Sequence, residues 1–305
     1  MKILLVWNPM AGHGRAAALA AEAVGLFKAK GISADLRLTE GPGHATRIVR
    51  EADFTDYYGV AAAGGDGTLC EAANGYYANP AHGSIPLGIL PMGTGNALAR
   101  DLGMEERRWR VAVEIIAADK RRRIDVGRYL SGGKTFYFLN ILELGFVADV
   151  VATALRLKVF RYPSYRLGVA VRILSLHSYP LRIEVDGQVI ERENLFAEIS
   201  NARGYTSRFL MAPQARLDDG LLDVTLLGGM DRLRFLKSIP LFFTGKHLSL
   251  PEVETFRAGR LCISTPVPKV LGSDGELAGS TPVEVECLKQ NIEVFGCGSI
   301  EEYHR

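Results

Sequence analysis

The chain has four cysteines in 305 residues, Cys70, Cys262, Cys287 and Cys297, and none stands in a C-x-x-C pair. That spacing and density argue against a disulfide framework, and a reducing, intracellular setting is expected. No sign of charge dominates: 36 Lys and Arg face 34 Asp and Glu, leaving a formal charge of +2. A strongly basic nucleic-acid binder is therefore not implied. No apolar run approaches the ~18 to 20 residues that span a bilayer. The opening MKILLVWNP is too short for a secretory signal and is broken by Asn8-Pro9. The expected location is cytoplasmic, and any membrane contact is peripheral, at the inner membrane face. The histidines at 13, 44, 82, 177, 247 and 304 form no H-E-x-x-H. A G-x-S-x-G elbow is absent, as is the Gly-Lys-Ser/Thr ending of a Walker loop. G-x-G-x-x-G is missing near the first strand, so a dinucleotide Rossmann site has little support.

What is present is enough apolar material for a large core, at 48% hydrophobic residues, and a length that suggests two domains. The first part alternates strand and helix signals. KILLVW (2–7), SADLRL (33–38), GVAAAGG (59–65) and LGIL (87–90) read as strands. Segments 14–31, 44–52 and 68–77 read as helices between them. This order predicts a parallel sheet with helices on both faces. Ligands of such sheets bind beyond the carboxyl ends of the strands. The glycine-bearing turns at 8–14, 64–68 and 93–96 each follow a strand, so they are expected on one rim. After about Asp125 the texture becomes β-rich. KTFYFLNI (134–141), LRIEVDG, NLFAEIS, LLDVTLL, RLCIST and VEVECL are separated by Gly, Asn and Asp turns. A mostly antiparallel second domain is expected, with a helical insertion near 147–177.

GGDGTLCEAANG (64–75) has the logic of an anion site. Glycines bring backbone N–H groups close to an anion. Thr68 caps or opens a helix whose dipole favours negative charge. Asp66 is the odd residue, because a carboxylate repels phosphate unless a cation lies between them or it acts as a base. PMGTGNALA repeats the pattern with Thr94 and Asn96, and NPMAGHGR repeats it again. In RLDDGLLDV, Asp218 and Asp219 beside a glycine turn suit a hard cation, or else a solvated β-turn. Asp274-Gly275-Glu276 reads either as a hairpin turn with an exposed acid or as a catalytic turn.

The set NPMAG, GGDGTLCEAANG, PMGTGNALAR, DVG (125–127), GFVADV (145–150), ARLDDGLLDV (215–224) and SDGE (273–276) resembles the diacylglycerol kinase catalytic-domain superfamily. That superfamily includes bacterial soluble lipid kinases, sphingosine kinases and ceramide kinases. The resemblance implies an NAD-kinase-like α/β domain over 1–124, to which 291–305 return. It implies an antiparallel β-sandwich domain over 125–290 for the lipid, with ATP in the cleft between them. Nucleotide contacts would map onto Asn8, Thr39, the loop Gly65, Asp66, Gly67, Thr68 to Glu71, and Thr94, with Asn96 beside it. Glu276 would be the proton acceptor, or Asp66 in the manner of the sphingosine kinases. A Mg²⁺ site would use the Asp219 side chain and the carbonyls of Arg216 and Leu221.

GTGNALA departs from the common bacterial pattern, with Ala97 and Leu98 where Asp and Phe are usual, and looks more like sphingosine kinases. GFVADV resembles their acceptor segment, with Asp149 facing the sphingoid amine. The implied activity is ATP- and Mg²⁺-dependent phosphorylation of a lipid hydroxyl, on diacylglycerol or a sphingoid base. A soluble NAD-kinase-like enzyme and a non-catalytic nucleotide- or lipid-binding regulator are the alternatives. Two basic, aromatic stretches, 153–177 and 231–247, read as solvated helices with apolar inner faces or as segments suited to an anionic membrane surface, and either stretch taken alone favours the first.

Overall fold

The computed structural model describes residues 1–104, 108–157, 164–206 and 209–297. The chain divides into two compact units. The first contains Met1–Val126, Leu217–Asp219 and the described residues from Lys289 onward. The second contains Gly127–Arg216 and Gly220–Leu288.

The first unit runs β1 (Lys2–Trp7), α1 (Ala20–Ala29), β2 (Ser33–Leu38), α2 (His44–Glu51), β3 (Gly59–Gly64), α3 (Asp66–Ala78), β4 (Leu87–Pro91), α4 (Ala97–Asp101) and α5 (Trp109–Ala117). β5 (Arg121–Ser131) then leads out of it. β1 pairs in parallel with β2 and β3, and β3 with β4, giving the order 2-1-3-4. The order reverses at β1, and such a switch point opens a crevice at the strands' carboxyl ends. β1, β3 and β4 are almost wholly buried, as an all-parallel sheet covered on both faces must be. α2 packs on α3, and α1 on α5.

The helix expected over 14–31 starts late. Gly12, His13 and Gly14 take left-handed φ values of +59°, +62° and +84°. The Trp7 indole N–H then donates to the Ala16 carbonyl at 3.0 Å. Residues Arg15–Leu19 wind as a tighter 3₁₀ turn, and the α-helix begins at Ala20.

The second unit holds β6 (Lys134–Phe138), β7 (Ile141–Gly145), α6 (Phe146–Leu157), α7 (Ser164–Leu174), β8 (Tyr179–Val185), β9 (Gln188–Ser200), β10 (Gly204–Thr206), β11 (Phe209–Leu210), β12 (Leu222–Gly228), α8 (Arg232–Phe242), β13 (Val253–Ala258), β14 (Arg260–Ser264), β15 (Val270–Ser273), β16 (Glu276–Ser280) and the start of β17 (Val283–Phe295). β9 belongs to both layers of a sandwich. Its first half pairs with β8, and its second half with β7 and β12. Leu142, Ile199 and Val224 of one layer meet Ile183, Leu261 and Val285 of the other in the core. β17 continues into the first unit, where Val294 pairs with Leu87 of β4.

One strand boundary differs from expectation. KTFYFLNI is not continuous: β6 ends at Phe138 and β7 starts at Ile141. The Asp274 carboxylate accepts the N–H groups of Leu139, Asn140 and Ile141, so these cannot join a regular ladder.

Candidate active site

In the first unit the turns after β1, β3 and β4 meet backbone to backbone. Asn8 N–H donates to Ala63 O at 2.9 Å, and Thr39 N–H to Trp7 O at 2.8 Å. Met92 and Gly93 N–H both donate to Gly64 O, at 2.9 and 3.0 Å. A β-carbon built on Gly93 would stand 2.3 Å from the Gly65 Cα, and one on Gly12 would stand 2.8 Å from the Met92 carbonyl. Only glycine permits these approaches. The three turns therefore share one rim, as the strand–helix alternation predicts, and the Asn8 amide joins two of them by donating to Thr68 Oγ1 at 2.9 Å.

Two helix starts lie here, and they differ. α3 begins at Asp66 behind Gly65, and no side chain caps it. Thr68 does not open this helix; it is buried in the first turn, holding Asn8. The leading N–H groups and dipole of α3 suit an anion. The start of α4 is instead taken up by protein. Ala97 N–H donates to Asp66 Oδ1 at 2.8 Å. The Asn96 amide folds back on Gly93, accepting from its N–H at 3.0 Å and donating to its carbonyl at 2.9 Å. Asn96 thus shapes the turn, at φ +51°, while Thr94 stands exposed at its tip. Burial pushes the Asp66 carboxyl up to about 6, against the pull of the Ala97, Asn96 and Leu98 N–H groups.

Glu71 lies on the flank of this rim. Its carboxylate accepts from Gly43 N–H at 2.7 Å and Ala45 N–H at 3.1 Å. It caps α2, whose own cap residue is a glycine without a side chain to do so.

In the second unit, Glu276 opens β16 and is half-buried. The hairpin before it turns on Asp274 and Gly275, at φ +49° and +86°. These are the positive values that a two-residue turn requires. Asp274 is not an exposed acid. It is buried, with its carboxylate on three backbone N–H groups at 2.8 to 2.9 Å. That contact fixes the turn that presents Glu276.

Asp149 sits in the first turn of α6. It lines a small depression with Arg172, His177, Tyr179 and Lys269. Burial and the Asp149 charge push the Tyr179 phenol upward. Arg216, Asp219 and Leu221 lie in the irregular segment before β12, around Gly220 at φ +82°. Among the described residues no three His, Cys, Asp or Glu side chains form a metal-sized cluster. A site of one carboxylate and two carbonyls lies outside that pattern. Of the basic stretch 153–177, Lys158, Phe160, Arg161 and Tyr162 lie outside the described residues, as do 298–305 of the returning segment.

Sequence reasoning passed over Asp274 as an anchor. It also passed over Glu143 and Glu198, which are fully buried and face each other across β7 and β9. The signal was available: each is an acid in the middle of an apolar run, in NILELGF and NLFAEIS.

Residues 2–129 match the family described as diacylglycerol kinase catalytic domain, and residues 141–296 match the YegS C-terminal NAD kinase beta sandwich-like domain. A diacylglycerol kinase of Mycobacterium tuberculosis is 30% identical, over 96% of this chain and 94% of its own length. One from Bacillus subtilis is 26% identical, over 95% and 94%. Among solved structures, a diacylglycerol kinase from Bacillus anthracis superposes with a TM-score of 0.72 at 22% identity, over 97% of this chain and 96% of that one. An NAD kinase from Archaeoglobus fulgidus, solved with ATP, gives 0.53 at 12% identity, over 97% and 93%. At these identities the two structures show a shared fold.

Proposed function

We propose that this chain, which belongs to the diacylglycerol kinase catalytic-domain family, transfers the γ-phosphoryl group of ATP to the primary hydroxyl of a lipid, diacylglycerol in preference to a sphingoid base. Membership makes it a lipid kinase of the diacylglycerol kinase type. The nucleotide, the metal and the acceptor are the further reading.

The carrying observation is the glycine cradle. Two turns touch at Gly65 and Gly93, and the uncapped start of α3 stands beside them. Asn8, Thr39, Gly65, Gly67, Thr68 and Thr94 each follow the end of one of the strands β1 to β4, which supports a reading of ATP phosphates held by backbone N–H groups. When bound, ATP supplies the phosphoryl group and Mg²⁺ neutralises its charge. Asp66 is held in place by Ala97 and is mostly ionised at pH 7, close enough to its titration range to accept a proton. Glu276, presented by the Asp274-anchored hairpin, is the other proton acceptor to be weighed. The Asp219 carboxylate, with the carbonyls of Arg216 and Leu221, offers the oxygen donors that a hard cation prefers.

The acceptor preference rests on the surroundings of Asp149. Arg172 and Lys269 line the same depression, so the local charge is not negative. A lipid ammonium gains little there, whereas a neutral glycerolipid is not repelled. Among the described residues no helix is long and apolar enough to cross a membrane. A chain of this kind would reach its lipid from the cytoplasmic surface of the bilayer, as a peripheral protein.

The test is a phosphotransfer assay with Mg-ATP over diacylglycerols, sphingoid bases, ceramides and NAD. Phosphorylated diacylglycerol is expected, with loss of turnover when the metal is chelated. Failure on every lipid would sink the reading, and phosphorylation of NAD would move the chain to the nucleotide-kinase alternative. A second expected result concerns the cradle itself. In Gly93→Ala the methyl wedges two turns apart, at a cost of about 1–3 kcal/mol. ATP affinity measured by calorimetry is expected to fall by roughly tenfold or more, the equivalent of about 1.4 kcal/mol. Unchanged affinity would show that the contact between the turns does not form the nucleotide site.

A further inference from the structure

α8 carries apolar residues on two opposite faces. Phe235, Ser238 and Phe242 point inward and are buried, with the two phenylalanines in the apolar cluster that includes Val147 and Leu227. Leu233, Leu236, Pro240 and Phe243 recur at i, i+3, i+7 and i+10, which places them on one helical face. That face is turned to solvent: Leu233 is 62%, Leu236 45% and Phe243 49% exposed. Single exposed leucines are ordinary, but an ordered stripe of them on a helix already packed on its other side is not.

The charges around the stripe have one sign. Arg232, Arg234, Lys237 and Lys246 are exposed, and α8 itself contains no acid. Two acids beside it, Asp231 and Glu252, are already engaged. Asp231 caps the helix by accepting from Arg234 N–H at 2.9 Å, and Glu252 pairs with the Arg234 guanidinium at 2.6 Å. Among the described residues Arg232, Lys237 and Lys246 have no acidic partner. At 100° per residue, Arg232 and Lys237 fall on opposite borders of the apolar stripe.

We infer that the outer face of α8 is a membrane-docking surface. Leu233, Leu236 and Phe243 enter the acyl boundary of an anionic leaflet, and Arg232, Lys237 and Lys246 meet its headgroup phosphates. An apolar stripe with cationic borders fits that interface in both layers at once. A second copy of the chain would bring the same cations against each other, so charge complementarity favours the anionic bilayer. The inference rests on the reading that the acceptor is a bilayer lipid, and it states where the protein touches that bilayer.

The test uses the full chain and its triple variants Leu233→Ser/Leu236→Ser/Phe243→Ser and Arg232→Ala/Lys237→Ala/Lys246→Ala. Co-sedimentation is measured with phosphatidylglycerol vesicles, with phosphatidylcholine vesicles as the uncharged comparison. Turnover is measured in parallel on a short-chain, water-soluble diacylglycerol. The wild-type chain is expected to bind the anionic vesicles, and each variant to bind at least about tenfold more weakly. Turnover on the soluble acceptor should stay within about twofold, because neither set includes a residue of the candidate active site. Unchanged vesicle binding in the apolar variant overturns the inference, as does equal wild-type binding to both vesicle types. A wild-type dimer that the apolar variant converts to monomer, with no vesicle binding by either, assigns the face to a second copy and also overturns it. Should the soluble acceptor fail even with wild-type protein while the vesicle results hold, the docking surface stands and the proposed acceptor falls.

Discussion

Exchanging Asp66 for asparagine is expected to lower turnover by roughly a thousandfold, the range of a lost general base or charge-handling carboxylate. The substitution is conservative for the fold. The asparagine carbonyl can still accept from Ala97 N–H, the contact that the Asp66 carboxylate makes at 2.8 Å. What disappears is the negative charge and the ability to take up a proton. The pH profile gives a second readout. Burial holds the Asp66 carboxyl at about 6, so wild-type turnover should fall as pH drops through that value and Asp66 becomes protonated. In Asp66→Asn that acid limb should vanish together with most of the rate. Glu276→Gln is the necessary comparison. If it removes the rate and the limb while Asp66→Asn keeps more than a tenth of the activity, the proton goes to Glu276 and Asp66 only shapes the turn. Melting temperatures of both variants close to wild type would keep the comparison chemical rather than structural.

The second large effect is on stability, and it comes from a pair that no motif announces. Glu143 and Glu198 are fully inaccessible and directly opposite in register. Among the described residues, both oxygens of Glu143 and one of Glu198 lack hydrogen-bond partners. Burial, reinforced by the nearby Asp274, pushes Glu143 up to about 8. Burial, reinforced by Glu143, pushes Glu198 well above its usual range. The folded chain therefore holds protons that the unfolded chain releases above about 4.5. Stability is fully present below that pH and is lost as pH rises toward 8. Raising a carboxyl's pKa by one corresponds to about 1.4 kcal/mol, so Glu143 alone costs on the order of a few kcal/mol at the top of that window. The double variant Glu143→Gln/Glu198→Gln keeps the volume and removes the titration. Its melting temperature at pH 8 is expected several degrees above wild type, with the difference shrinking toward pH 5. A wild-type melting temperature that is flat from pH 5 to 8, matched by the variant, would rule out the buried pair as a proton-holding strain.

The contrast between these residues marks how far the sequence can be read. Asp66 stands out because it breaks a local rule: an acid inside a glycine turn that otherwise suits an anion. Glu143 and Glu198 also break a local rule, as charges within apolar strands. Their pairing, however, depends on the register between β7 and β9, and register is set by the whole sandwich. Asp274 escapes a local reading for a related reason. Asp-Gly in a hairpin is usually solvated, and only the fold brings Leu139 to Ile141, more than 130 positions away, onto its carboxylate. The amphipathic stretch at 231–247 can be read with its apolar residues facing the core or a lipid. Both faces of α8 prove apolar, and only packing shows which one is already occupied.

By itself, the sequence determined the alternation of strand and helix, the convergence of three glycine turns on one rim, and the motif set that marks the family. Those features follow from periodicity and turn chemistry within about ten residues, and in parallel βα units every strand end points to the same edge. Tertiary structure alone decided that Asp66 engages Ala97, that Glu71 caps α2, that Asp274 anchors the Glu276 hairpin and that two buried glutamates meet. These are contacts between residues far apart in the chain, where burial and strand register choose the partner and local pattern carries no record of the choice.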